Sequence, residues 1–81
     1  MKALLVRNDL TTKSAATLYV RSGSLNDPDD VQRIAHLCEH MFFMGSKKFP
    51  GISEYTDFLQ KNGGSRNAAT GEDFTFFYFD V

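Results

Sequence analysis

The only two histidines of the 81-residue chain are His36 and His40, and the string between them reads His36-Leu37-Cys38-Glu39-His40. On a helix, residues four apart lie one turn apart on one face, so both imidazoles can reach one ion. Glu39, three residues after His36, shares that face. Neutral imidazole nitrogens suit Zn2+, and a hydrolytic zinc site also needs a nearby carboxylate to take a proton from water. The spacing therefore describes a metal site with its own base: His36 and His40 as ligands, Glu39 as proton acceptor. Two histidines scattered at random over this length fall four apart in roughly 2% of arrangements, before a glutamate is required between them.

A helical wheel at about 100° per residue gathers Val31, Ile34, Ala35, Cys38, Met41 and Phe42 on one face. Gln32, Arg33, His36, Glu39, His40 and Phe43 fall on the opposite face. The expectation is a helix that packs its Ile34–Cys38–Phe42 side on the core and turns the histidines to solvent. Cys38 then reads as a small buried hydrophobe pointing away from the ion. Phe43 is the one large apolar member of the polar face, and it either lines a substrate pocket or packs on a neighbouring loop. The competing account of His36 and His40 is a solvated face with two incidental histidines.

Such a helix needs a sheet to hold it. Lys2 to Arg7 reads as a short strand with a continuous apolar centre. Asn8 to Thr12 supplies turn chemistry, and Ser14 to Ser22 reads as a second strand, completing a hairpin. Gly23 to Pro28 is a loop. Asp29 or Asp30 is expected to cap the motif helix, which runs to about Met44 and stops at Gly45. After a loop from Ser46 to Ile52, Ser53 caps a second helix, Glu54 to about Asn62, with Tyr55, Phe58 and Leu59 as its apolar stripe and Gly63-Gly64 as its end. Ser65 to Thr70 reads as a short strand and Gly71-Glu72-Asp73 as a turn. Phe74 to Val81 is a final strand in which five of eight residues are aromatic. The order implies an α+β fold, a two-layer mixed sheet with helices packed on one face.

Composition excludes several functions. Nine Lys and Arg oppose ten Asp and Glu, for a net charge of −1, which argues against a nucleic-acid surface and a polybasic membrane patch. No apolar run approaches the ~20 residues of a membrane span. The apolar run after Met1 is too short for a signal peptide. One cysteine rules out an internal disulfide. These absences suit the cytosol, with mitochondria as the alternative. A chain this short buries only about 60–65% of its unfolded surface, so a lone core is marginal. Its aromatic last strand runs to the C-terminus uncovered, an aggregation hazard in natural chains. The expectation is the first part of a larger domain; an edge strand that pairs in an oligomer is the alternative.

The run His36-Leu37-Cys38-Glu39-His40-Met41-Phe42-Phe43-Met44-Gly45-Ser46 resembles the core motif of the pitrilysin family of zinc metallopeptidases, the inverzincins. The similarity extends upstream to Gly23-Ser24-Leu25 and Asp27-Pro28. Downstream it takes in Lys48-Phe49-Pro50, Glu54-Tyr55, Gly63-Gly64-Ser65, Asn67-Ala68 and Tyr78-Phe79-Asp80-Val81. It is greatest to the large single-chain insulysin–nardilysin branch. The resemblance implies a Zn2+ cofactor held by His36 and His40, with Glu39 as general base. Residues 1–81 would form the N-terminal part of the catalytic domain. The third ligand would be a Glu on a later helix, past Val81. Asn67 and Ala68 match the edge strand on which such enzymes bind substrate backbone by strand addition. Ala69 sits where insulysin-like members often carry a bulkier aromatic. Two departures stand out: Arg33 replaces the usual Gly before the motif, and Phe74 and Phe76 replace positions that are commonly polar.

The function implied is a zinc-dependent metalloendopeptidase acting on peptides or small proteins. With two imidazoles as its only protein ligands, the 81-residue chain alone is expected to bind zinc weakly and cleave nothing. Glu54, Glu72 and Asp73 could in principle supply a third ligand, but helix geometry gives no reason for them to reach the histidines. Two rivals have different consequences: a non-catalytic module that binds peptides or partner subunits, and a structural domain with no metal.

Overall fold

The computed structural model describes residues 1–81. Strand β1 spans Ala15–Val20, helix α1 Ile34–Met41, helix α2 Glu54–Lys61, strand β2 Ser65–Thr70 and strand β3 Thr75–Asp80. A short 3-10 turn at Ser24–Asn26 lies between β1 and α1. The sheet order is β1-β3-β2. Both pairings are antiparallel, with Ala15 opposite Asp80 and Val20 opposite Thr75 on one side, and Ser65 opposite Asp80 and Thr70 opposite Thr75 on the other.

The α+β class and the two layers agree with the expectation, and three details are corrected. The sheet is antiparallel throughout, not mixed. Residues 2–7 form no strand: Leu4, Leu5 and Val6 are exposed, and the neighbour of β1 is β3. An apolar run alone does not make a strand; its backbone groups need a paired edge. The third correction concerns the alternative reading of the aromatic strand as an edge: it is the centre of the sheet. Its aromatic content follows from that position, because a central strand has both neighbours and both faces to fill.

Alternation along β3 sorts its side chains. Thr75, Phe77 and Phe79 face the helices. The Phe77 ring lies 4.3 Å from Phe42 and 6.0 Å from Phe43, while Phe79 meets Tyr55 at 6.3 Å. Burial pushes the Tyr55 phenol up from its usual range, and the charge of Arg66 partly offsets it. Phe76 and Tyr78 point to the other face, where a stacked row runs Tyr19, Phe74, Phe76, Tyr78 at 5.9 Å spacing. Leu59, at 2% exposure, is the most enclosed side chain. Phe58, placed in the same stripe by sequence, is exposed.

Helix α2 begins and ends as its sequence suggests, with one difference. Ser53 precedes it, but its hydroxyl donates to the Asp57 carboxylate and not to the backbone. At the other end Gly64 N–H donates to Leu59 O and Gly63 N–H to Gln60 O, with Gly63 at φ +71°. This is the Schellman arrangement, and the left-handed residue in it favours glycine.

Candidate metal site

Helix α1 is positioned from its N-terminus by Asp27. One carboxylate oxygen accepts the Arg33 N–H at 2.7 Å and the other accepts the Ala35 N–H at 2.9 Å. Two otherwise unpaired amides at the helix start are thereby satisfied. The cap is thus Asp27, not Asp29 or Asp30. Arg33 holds φ +69°, the only non-glycine residue with positive φ. The helix ends at Met41, three residues short of the expected end, and Gly45 lies beyond it at φ +111°.

The Asp27 loop is itself fastened to the turn between β2 and β3. Ser24 N–H donates to Gly71 O and Leu25 N–H to Glu72 O. Gly23 passes so close to this turn that a side chain there would meet the Gly71 carbonyl oxygen. The start of the motif helix and the end of β2 therefore share one anchor.

The covered face of α1 is opposite to the one expected from the wheel. Glu39, at 8% exposure, and Phe43, at 9%, are the buried residues, whereas Cys38, Ile34 and Met41 are exposed. The reason lies in the partners. Glu39 accepts a hydrogen bond from the Thr70 hydroxyl at the end of β2, and a polar group is buried at tolerable cost only when so hydrogen-bonded. Phe43 is enclosed by Phe42, Tyr55 and Phe77, with the Arg66 guanidinium over its ring. Its ring is occupied by packing within the chain. Cys38 is therefore not a buried hydrophobe, although it does point away from the histidines' side of the helix.

His36 and His40 bring their Nε2 atoms to 3.0 Å, and the candidate ligand atoms of His36, Glu39 and His40 all lie within 4.8 Å of one another. Two imidazole nitrogens on a tetrahedral Zn2+ at about 2.0–2.1 Å stand roughly 3.3 Å apart. The pair is within a few tenths of an ångström of that separation, and both nitrogens come from one turn of helix. The donor set thus fits zinc. Glu54, Glu72 and Asp73 are not part of the cluster.

Asn67, Ala68 and Ala69 all lie on β2, whose outer side has no neighbouring strand. Gly71 N–H donates to Phe74 O. Antiparallel alternation from that pair turns the backbone groups of Ala69 and Asn67 toward β3, and those of Thr70, Ala68 and Arg66 outward. The outward Ala68 N–H is met by the Asn67 side-chain oxygen at 2.9 Å. Sequence reasoning singled out Asn67, Ala68 and Ala69 but passed over Thr70 and Asp27, which hold the glutamate and the helix start. A hydroxyl 31 positions from its carboxylate leaves no periodic signal; an Asp shortly before a helix does, through its capping preference.

A family model described as insulinase (peptidase family M16) matches residues 2–81. The chain is 48% identical to the insulin-degrading enzyme of Bos taurus over 81 residues, which is all of this chain and 8% of that protein. It is 52% identical to human nardilysin over 69 residues, 85% of this chain and 6% of that protein. Superposed on the crystal structure of pitrilysin it gives a TM-score of 0.86 at 43% identity, covering 91% of this chain and 8% of that one. The chain thus spans under a tenth of the length of these relatives.

Proposed function

Because the chain belongs to the insulinase peptidases, family M16, we propose that it carries two zinc ligands and the general base of a zinc metalloendopeptidase. His36 and His40 hold the ion, and a third protein ligand comes from outside residues 1–81. Zn2+, when bound, supplies Lewis-acid polarisation to the hydrolysis of a peptide bond. The observation that carries this reading is the pair of Nε2 atoms 3.0 Å apart with the Glu39 carboxylate beside them.

The chain's own residues perform three tasks. His36 and His40 present neutral nitrogens from one helix face. Glu39 receives a proton. Its Oε2 is engaged by Thr70, and Oε1 carries no hydrogen bond; since no buried side-chain polar atom is left unpartnered, Oε1 opens to solvent. Strand β2 offers outward backbone groups at Arg66, Ala68 and Thr70 to an extended peptide, which would pair as an additional strand. Asn67 must then release the Ala68 N–H. Ala69 projects to the face bearing the aromatic row and flanks that peptide. Relatives include enzymes named for degrading insulin, and peptides or small proteins are the substrate class proposed here.

The test uses the full-length product of the reading frame encoding residues 1–81. Zinc-dependent hydrolysis of a fluorogenic peptide is expected, abolished in Glu39→Gln with zinc retained. His36→Ala and His40→Ala should each lose the metal. Metal-independent hydrolysis, or Glu39→Gln with parental activity, would overturn the assignment. The 81-residue chain alone is expected to retain little zinc after dialysis.

A further inference from the structure

Glu39 has one side-chain partner, and it comes from another element. The Thr70 hydroxyl donates to Glu39 Oε2 at 2.5 Å across 31 positions of sequence. We infer that Thr70 is a positioning residue: it sets the direction of the Glu39 carboxylate and ties that direction to the edge strand. The inference rests on the proposed role of Glu39 as base.

A glutamate side chain has three rotatable bonds, and packing alone seldom selects one orientation of its carboxylate. A carboxylate only accepts hydrogen bonds, so a hydroxyl aimed at it is a matched donor. Engaging Oε2 leaves Oε1 as the oxygen that can receive a proton. Thr70 is also a well-held donor. It is β-branched and so restricted at χ1, and it stands opposite Thr75 in the register of β2 with β3. Thr75 is buried and donates its own hydroxyl to Ser22 O at 2.8 Å. The chain of support therefore runs from the segment after β1, through β3, to Thr70 and Glu39. The same Thr70 turns its backbone to the open edge of β2. A peptide that pairs with that edge is aligned with the residue that orients the base.

The experiment compares Thr70→Val, which keeps the branched shape and loses the donor, with Thr70→Ser, which keeps the donor, in the full-length product. Thr70→Val should lower kcat by about 10–100-fold with KM and zinc content unchanged, and Thr70→Ser should recover most of that loss. Crystal structures supply a readout independent of turnover: the Glu39 carboxylate turns from its parental direction in the valine variant and keeps it in the serine variant. If Thr70→Val proves insoluble, Thr70→Ala is read in the same way. A valine variant with parental kcat and an unmoved carboxylate overturns the inference. A parental protein without zinc-dependent hydrolysis overturns the role of Glu39 instead, and the carboxylate direction in the two structures still decides whether Thr70 sets it.

Discussion

The Arg66 guanidinium lies 4.0 Å from the centre of the Phe43 ring. From that position its Nε donates to the Thr56 hydroxyl at 2.8 Å. One side chain on β2 thus holds the segment following α1 and the body of α2. Phe43→Ala removes the ring beneath the guanidinium and should destabilise the chain by about 3 kcal/mol. Arg66→Ala should cost less, about 1–2 kcal/mol, from a cation–π contact and a charged hydrogen bond. Urea unfolding of both variants checks the order: a larger loss for Arg66→Ala would show that the ring is not the principal support.

Arg33 occupies a left-handed backbone conformation three residues before the first histidine of α1. A side chain there costs about 1–2 kcal/mol, and glycine gives back part of any gain through its freer unfolded chain. Arg33→Gly is expected to raise stability by about 0.5–1 kcal/mol. An unchanged or lower urea midpoint would mean that Arg33 contributes something beyond its backbone.

Gly23 behaves differently, because its difficulty is space and not φ. A methyl group there would lie within 3 Å of the backbone of Gly71 and Glu72. Backbone cannot swing aside as a side-chain tip can, so Gly23→Ala must open the loop carrying Asp27. We expect a loss of about 2–3 kcal/mol and faster amide exchange at Arg33 and Ala35, whose N–H groups Asp27 holds. Protection at those two amides equal to the parent would show that the Asp27 cap survives without the loop's attachment.

Asp80 closes the other end of the sheet. One carboxylate oxygen accepts the Lys13 ammonium at 2.7 Å, and the other accepts the Ser65 hydroxyl at 2.6 Å and the Ser65 N–H at 2.8 Å. The Lys13 hydrogen bond, then those from Ser65, hold the acid well below the usual carboxylate range. The folded form therefore stays ionised where an unfolded Asp, near pH 3.9, already takes a proton. This contribution is complete above about pH 4–5 and is lost on further acidification. The urea midpoint of the parent should drop over that acid range, and the midpoint of Asp80→Asn should start lower and vary less. Equal acid sensitivity of the two would assign the effect to other carboxylates.

The clustering of the candidate metal-site residues was legible because it is local. His36, Glu39 and His40 lie within one helical turn, and any helix brings them together. The side of that helix that meets the sheet was not legible. Ile34, Cys38, Met41 and Phe42 make the more apolar stripe, yet Glu39 and Phe43 are covered, since their partners Thr70 and Arg66 sit on β2. A wheel weighs hydrophobicity but cannot see a hydroxyl waiting on another strand. The strand at Phe74–Val81 was evident from its composition, whereas its place between β1 and β2 depends on pairings across the whole chain. The apolar run at Leu4–Val6 misled for the same reason: composition supplied strand-forming residues, and no paired edge accompanies them.

The position of β3 has a consequence for how the chain acquires its structure. Strands β1 and β2 never touch; each is joined to the sheet only through residues 75–80. As the polypeptide leaves the ribosome, β1 emerges early and waits through both helices and β2 before its partner exists. Until then it has no ladder to join, and closing the Ala15–Asp80 pair spans nearly the entire sequence. Non-local pairing of this kind slows folding. The helix carrying His36 and His40 can wind during synthesis, but Thr70 and Thr75 are set against each other only when β3 is in place. Assembly of the candidate site thus waits for β3, and residues 75–80 time it.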